Sequence, residues 1–208
     1  DACPIDDLII YKLAENKFLT ILNASRKEID LAWIKSHLST EYNASINILE
    51  NRSLLAIQGP ESSEKLSAIL PLKLQDIGYM SIVESTYKGK SIYVAQTGYT
   101  GENGYEISID DSDAIEFWQE IVGMGVEPIG LGARDSLRLE AGYPLYGHEL
   151  SEDINIANGV MKWIITSKEN FIGKEKLETP PLIKRVGIKL IDKGIIREGM
   201  KIFLNNEE

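Results

Sequence analysis

The chain has 208 residues, 43% hydrophobic and 26% charged, with a formal net charge of −10 at pH 7. That length supports one or two domains with a sizeable core, and that charge argues against nucleic acid or an anionic membrane as the main partner. The single cysteine, Cys3, excludes an intrachain disulfide, the two histidines, His37 and His148, have no zinc-site spacing, and no apolar run is long enough to span a membrane.

The chain opens without an initiator Met or a signal-like segment. It ends in the turn-forming Asn205-Asn206 and two acids, directly after a strand-like stretch, so it reads as an internal fragment of a longer protein. Residues 5–13 form a β-rich run, 14–17 a polar turn and 18–23 a return strand, which predicts a hairpin. Ser25 followed by Glu28 has the spacing of a capping box, and the helix it opens is expected to run to about His37, burying Ile29, Trp33 and Leu31 or Ile34. A short strand is expected over 44–50 and another over 53–58, then a short helix over 61–70. Residues 79–87 read as extended and turn at Lys88-Gly89-Lys90.

Strand-like 91–95 and 105–109 flank Thr97-Gly98-Tyr99-Thr100-Gly101-Glu102-Asn103-Gly104-Tyr105-Glu106, with three glycines, two aromatics and two acids in ten residues. The glycines allow the backbone to approach something closely, and Glu106 would face whatever occupies the turn. An ordinary hairpin with a surface glutamate has the same pattern. Asp111-Ser112-Asp113 caps a helix over 114–123, and a helix follows over 133–141. Residues 155–163 fit a short helix or a strand, residues 168–175 a turn entering a short helix, and Pro180-Pro181 a linker. Strands are expected over 185–190 and 201–204.

Within this outline, Asp6-Asp7 lies in an apolar strand-like run. Alternation would send one carboxylate to the interior, where it is costly unless paired or used; the plainer reading is an edge-strand charge. Arg134 stands near a helix start, where a cation is disfavoured, so it needs a ligand, a carboxylate partner, or simply its neighbour Asp135. Tyr99, Tyr105 and Tyr143 suit either stacking on an aromatic ligand or filling a core. No phosphate-binding glycine loop, dinucleotide fingerprint or nucleophile elbow is present.

Seven stretches then occur in order: 5–11, 22–24, Ile57-Gln58-Gly59-Pro60, 97–106, Gly130-Leu131-Gly132-Ala133-Arg134-Asp135, Arg138-Leu139-Glu140-Ala141 and Phe171-Ile172-Gly173-Lys174-Glu175. Together they resemble the T-protein family of the glycine cleavage system, the aminomethyltransferases. The resemblance covers nearly the whole chain. It implies an α+β fold, the folate-binding cloverleaf of mixed and antiparallel sheets with packed helices. Residues 1–47 and 146–180 would belong to one discontinuous folate-binding domain, 48–145 to a second, and 181–208 would begin a truncated C-terminal β-barrel. The family's N-terminal Asp-x-Ser-His stretch and most of its barrel are missing, so the fragment is expected to lack full activity. Cys3-Pro4 stands where the family has a Gly-Gly pair, which alters the turn ahead of Asp7.

The resemblance also implies a reaction: a one-carbon unit passes from the aminomethyl group on a lipoylated H-protein to tetrahydrofolate, and ammonia leaves. Asp7 would be the catalytic carboxylate, Glu106 the grip on the pterin edge, Arg134 and Asn23 folate contacts, and Tyr99 and Tyr143 aromatic walls. No metal is called for. The compartment would be the bacterial cytoplasm or the mitochondrial matrix. Related readings on the same fold are a sulfonium demethylase, the folate half of a sarcosine or dimethylglycine oxidase, and a non-enzymatic folate-binding iron–sulfur-assembly protein. The last carries a Lys-Gly-Cys-Tyr-x-Gly-Gln-Glu run, whereas residues 171–175 contain no cysteine.

Overall fold

The computed structural model describes residues 2–38, 43–158, 161–177, 186–197 and 199–205. Strands β1 (Ile9–Ala14) and β2 (Lys17–Ile21) form the expected antiparallel hairpin. Four further strands, β3 (Arg52–Gln58), β4 (Ile82–Tyr87), β5 (Lys90–Ala95) and β6 (Gly104–Asp110), make an antiparallel sheet in the order β3-β6-β5-β4.

The two faces of this sheet follow from alternation. Tyr105, Ile107 and Ile109 of β6 are buried on one face with Ile92 and Val94 of β5 and Ile57 of β3. Helix α2 (Ser62–Ser67), a single 3-10 turn at Leu74–Asp76 and helix α3 (Asp111–Gly123) cover that face through Leu66, Leu74, Phe117 and Ile121. Phe117 meets Tyr87 edge-on at 5.0 Å, a favoured aromatic geometry. The opposite face carries Glu106 and Ser108, and the β1–β2 hairpin lies over it, tied at its turn by Lys17 to Glu84 at 3.3 Å.

Helix α1 (Lys27–His37) follows β2, α4 (Leu131–Glu140) follows α3, and α5 (Lys174–Leu177) lies near the end. Of residues 155–163, the described ones form short 3-10 turns at Ile156–Asn158 and Lys162–Ile164 rather than a strand. Contacts join the start of the chain to this region: Ile156 N donates to Ala2 O at 2.9 Å, and the Tyr146 hydroxyl donates to Pro4 O at 3.1 Å. Among the described residues no helix is long and apolar enough to cross a membrane.

Several local expectations are corrected. The Ser25–Glu28 capping box does not form: α1 is capped at Arg26, without a side-chain bond, because a backbone turn from Arg26 N to Asn23 O occupies the positions ahead of it. The helix buries Asp30, at 3% exposure, while Ile29 and Trp33 stay exposed. Asp110, not the following acids, caps α3 by accepting from Ser112 N. Residues 44–50 and 186–190 contain no strand, and 201–204 has only an isolated bridge residue at Leu204; an extended segment needs a pairing neighbour along its length to be stable. Arg185 and the Pro180-Pro181 linker lie outside the described residues.

Candidate functional site

Glu106 sits on β6 directly opposite Ala56 of β3 and Ala95 of β5, so the carboxylate is flanked by small side chains on both sides. The hairpin roofs this spot. Tyr11 and Ile21 from the hairpin, with Leu54, Ile82, Tyr93, Ala95, Glu106 and Ser108 from the sheet, line a small pocket. Burial pushes the Glu106 carboxyl above its ordinary value, and the positive charge of Arg134 opposes that rise. Among the described residues no donor reaches the carboxylate. Beside it Tyr11 is 4% exposed, and its hydroxyl makes no hydrogen bond of regular geometry among the described residues, with the Thr97 side chain its nearest polar neighbour. Burial and the charge of Glu106 push that phenol up to about 12, so it remains a donor across the neutral range.

The wall next to this pocket comes from the Gly-rich loop and α4. The Arg134 guanidinium lies over the Tyr99 ring at 4.4 Å, and Tyr99 stacks on Tyr143 with centroids 5.8 Å apart. The Tyr99 hydroxyl donates to Pro144 O. Asp135 does not pair with Arg134. It accepts from Arg138 at 2.8 Å, and Glu149 accepts from the same guanidinium at 2.7 Å. Arg138, only 5% exposed, also donates to Tyr143 O at 3.3 Å and so holds the second ring in place. With Asp135 engaged there, Arg134 is available to the ring and to Glu106.

The loop's glycines serve a purpose that their spacing in the sequence does not reveal. Gly98 and Gly104 close on the side chain of Gln58, and a Cβ added at either would come within 2.6 Å of it. Gln58 Nε2 donates to Thr97 O at 3.1 Å and to Tyr105 O at 3.4 Å, and Thr100 Oγ1 donates to Gln58 Oε1 at 3.1 Å. The close approach is therefore to the protein's own glutamine, and the result is a fixed platform for Tyr99.

Asp6 and Asp7 precede β1 and do not alternate across a strand. Both face Asn23, whose Nδ2 donates to Asp6 Oδ1 at 2.9 Å, Asp7 Oδ1 at 3.1 Å and Asp7 O at 3.0 Å. Burial first, and the Asp6 charge second, push Asp7 above the usual carboxylate range, while Asn23 resists. Tyr99 senses the charges of both Asp7 and Arg134, and Glu106 senses Arg134, which brings these four residues into one electrostatic neighbourhood. Tyr105 is not part of it: it is buried in the core and donates to Leu74 O at 3.1 Å.

Tyr11, Gln58 and Arg138 were missed as site residues by sequence reasoning. Period-two reading of β1 from Ile9 flags Tyr11 as an inward position, whereas the partners of Gln58 and Arg138 are distant in sequence or on a following loop. Among the described residues no group of His, Cys, Asp and Glu is arranged to hold a metal ion.

Residues 1–169 match the family model described as the GCVT N-terminal domain. The aminomethyltransferase of Chlorobaculum tepidum is 38% identical over 214 residues, covering 98% of this chain and 59% of that protein. The aminomethyltransferase of Geobacillus sp. (strain WCH70) is 41% identical over 219 residues, covering 100% of this chain and 60% of that protein. The chain thus spans about three fifths of the length of these curated relatives. The crystal structure of the glycine cleavage system aminomethyltransferase T from Bartonella henselae superposes with a TM-score of 0.68 at 32% identity, over 79% of this chain and 44% of that one.

Proposed function

The chain belongs to the family of the GCVT N-terminal domain, and from that premise we propose that it supplies the folate-binding part of an aminomethyltransferase. The reaction moves a one-carbon unit from the aminomethyl group on the lipoyl arm of an H-protein to tetrahydrofolate and releases ammonia. The observation that carries this reading is the Glu106 pocket: a half-buried carboxylate that no donor reaches among the described residues, beside the buried Tyr11 hydroxyl and next to an Arg134–Tyr99–Tyr143 stack. A half-buried carboxylate beside a buried hydroxyl and a flat aromatic wall fits a polar-edged flat ligand such as a pterin.

In this role Glu106 grips the amidine-like edge of the pterin, a pairing that suits a carboxylate's two oxygens. Arg134 offsets the negative charge, and Tyr99 and Tyr143 form the flat wall. Tetrahydrofolate supplies the amine nitrogen that takes up the one-carbon unit. Asp7 stands ready as the proton acceptor: Asn23 binds its Oδ1, which leaves Oδ2 available. Its raised pKa brings it closer to the operating range of a general base. Contacts between 2–26 and 146–156, including the Arg26–Glu152 pair, support one unit made from both ends of the chain, with 48–145 as a second.

The test is calorimetric titration of the full-length protein with tetrahydrofolate, wild type against Glu106→Gln. The amide turns a donor toward the ligand's own donor. An unpaired buried group costs about 1–3 kcal/mol, so affinity is expected to fall roughly 10- to 100-fold. Equal affinities would remove Glu106 from the folate site.

A further inference from the structure

Asp7 belongs to a stretch with no ladder of its own. β1 begins at Ile9, and residues 2–8 pair with no strand among the described residues. Backbone carbonyls in such a stretch need partners from elsewhere. Ile156 N donates to Ala2 O at 2.9 Å, the Tyr146 hydroxyl to Pro4 O at 3.1 Å, and Asn23 Nδ2 to Asp7 O at 3.0 Å. Ile5 O takes two bonds from one side chain, from Arg26 Nε at 3.0 Å and from Arg26 Nη2 at 2.7 Å.

Arg26 is poorly suited to any local task. It is the N-cap of α1, where Ser, Thr, Asp or Asn would bond the free N–H groups of the helix, and it makes no side-chain cap bond. A cation there also opposes the helix dipole. Its side chain turns away instead, stays only 16% exposed, covers the Tyr146 ring at 4.7 Å and pairs with Glu152. Glu152 is 61% exposed, and an ion pair with so solvated a partner contributes little. The main holds of the guanidinium are therefore the Ile5 carbonyl and the Tyr146 ring. The backbone of Arg26 closes the circle: Arg26 N donates to Asn23 O at 3.0 Å, and Asn23 Nδ2 reaches Asp7 Oδ1 at 3.1 Å.

We propose that Arg26 is a positioning residue for Asp7: its guanidinium, set between the Ile5 carbonyl and the Tyr146 ring, fixes where the Asp7 carboxylate stands relative to the Tyr99–Tyr143 wall. One residue thereby holds the chain two positions ahead of Asp7 and also the turn that carries Asn23, the amide that binds Asp7. The other end of the clamp is the wall's own loop. Tyr146 lies three residues beyond Tyr143, on a turn pinned by Glu149, which accepts from Leu145 N at 3.0 Å and from Arg138 at 2.7 Å. Tyr99 is tied to the same turn through Pro144 O. Carboxylate and wall are thus referred to a single loop, with Arg26 as the link. Arg26 acts through Ile5 and Asn23. A planar fork can donate twice to one carbonyl while it lies flat on a ring, which the point charge of a lysine cannot do.

The inference rests on Asp7 being the proton acceptor, so one arm of its test needs no turnover. In that arm, amide hydrogen exchange followed by NMR compares the full-length wild type with Arg26→Lys and Tyr146→Phe. The Ile156 amide, whose acceptor is Ala2 O on the clamped stretch, should exchange faster by on the order of tenfold in Arg26→Lys, as the loss of a charge-assisted bond allows. In Tyr146→Phe, which loses one neutral bond to Pro4 O, the rise should be about fivefold. The amides of Val94 and Ile107, inside the four-stranded sheet, should not change in either variant.

In the turnover arm, kcat for aminomethyl transfer to tetrahydrofolate should fall roughly 10- to 100-fold in Arg26→Lys and less in Tyr146→Phe, as expected when a reacting group is misplaced by about an ångström. KM for tetrahydrofolate should hold, because Glu106, Arg134 and Tyr99 keep their places. In an Asp7→Asn background Arg26→Lys should remove little more, since the group it aims is gone. Tyr146→Phe removes a single hydroxyl and keeps both arms readable if Arg26→Lys does not fold. Unchanged exchange at Ile156 in the folded variants overturns the proposal. So does a loss of turnover as large in the Asp7→Asn background as in wild type, or one carried by KM alone. If exchange at Ile156 rises while the wild type itself transfers no aminomethyl group, the clamp on the Asp7 stretch stands and the functional reading falls.

Discussion

Replacing Gly98 by alanine tests the clasp on which the site loop is built. The added Cβ would lie 1.8 Å from Gln58 Oε1 and 2.4 Å from its Cδ, where ordinary contact begins at 3.4 Å. Gln58 must therefore leave its position. Doing so breaks its bonds to Thr97 O and Thr100 Oγ1, both at 3.1 Å, and the longer one to Tyr105 O. At about 1 kcal/mol net for each good bond, with a further cost for any group left unpaired, Gly98→Ala should destabilise the protein by about 2–4 kcal/mol. Gln58→Ala loses the same bonds without a clash and should cost about 2–3 kcal/mol. The double variant is the decisive sample, because removing the Gln58 side chain vacates the volume that the methyl added at Gly98 needs. It should cost no more than Gln58→Ala alone, a coupling of about 2–4 kcal/mol in the favourable direction. Urea unfolding of the four proteins measures all of these, with unchanged m-values confirming a common transition. If the two single costs add in the double variant, the glycines are there for some reason other than Gln58, and the platform argument for Tyr99 fails.

Asp7→Asn should lower turnover on the order of 10²-fold or more while changing tetrahydrofolate affinity far less, because the amide keeps the shape but cannot accept the proton; steady-state kinetics with a separate folate titration reads this. Glu106→Gln should stabilise the ligand-free protein at neutral pH. Its carboxyl is raised by burial above the ordinary 4.5, so the wild type loses stability as pH rises through that raised range; thermal melts across pH should show no gain for the variant below 4.5. Phe117→Ala removes a fully buried ring from the core beneath the sheet and should cost about 3–5 kcal/mol in urea unfolding, leaving the order of the Glu106 pocket as a separate question for the folate titration.

Elements whose signals are local were legible from the residues alone. Period-two alternation over 105–109 located β6 and put Glu106 on the face opposite Ile107, and a polar turn between two apolar runs located the β1–β2 hairpin. The ordered motifs pointed to the family, since seven spaced stretches are improbable together in an unrelated fold. Whatever depends on a distant partner was settled only in three dimensions. Alternation assigned Asp6 and Asp7 to opposite faces, but Asn23, on the other side of the hairpin, gathers both with one amide. Helical periodicity assigned Ile29 and Trp33 to the interior, yet Asp30 is the residue that α1 buries. Adjacency in sequence offered Asp135 to Arg134, whereas helical spacing and the loop after α4 delivered it to Arg138 and left Arg134 to the Tyr99 ring. In each case the local signal reports the backbone's own preference, while the destination of a charged side chain is set by which dipoles and charges the fold brings within a few ångströms, where electrostatic terms outweigh a propensity of about a few tenths of a kcal/mol.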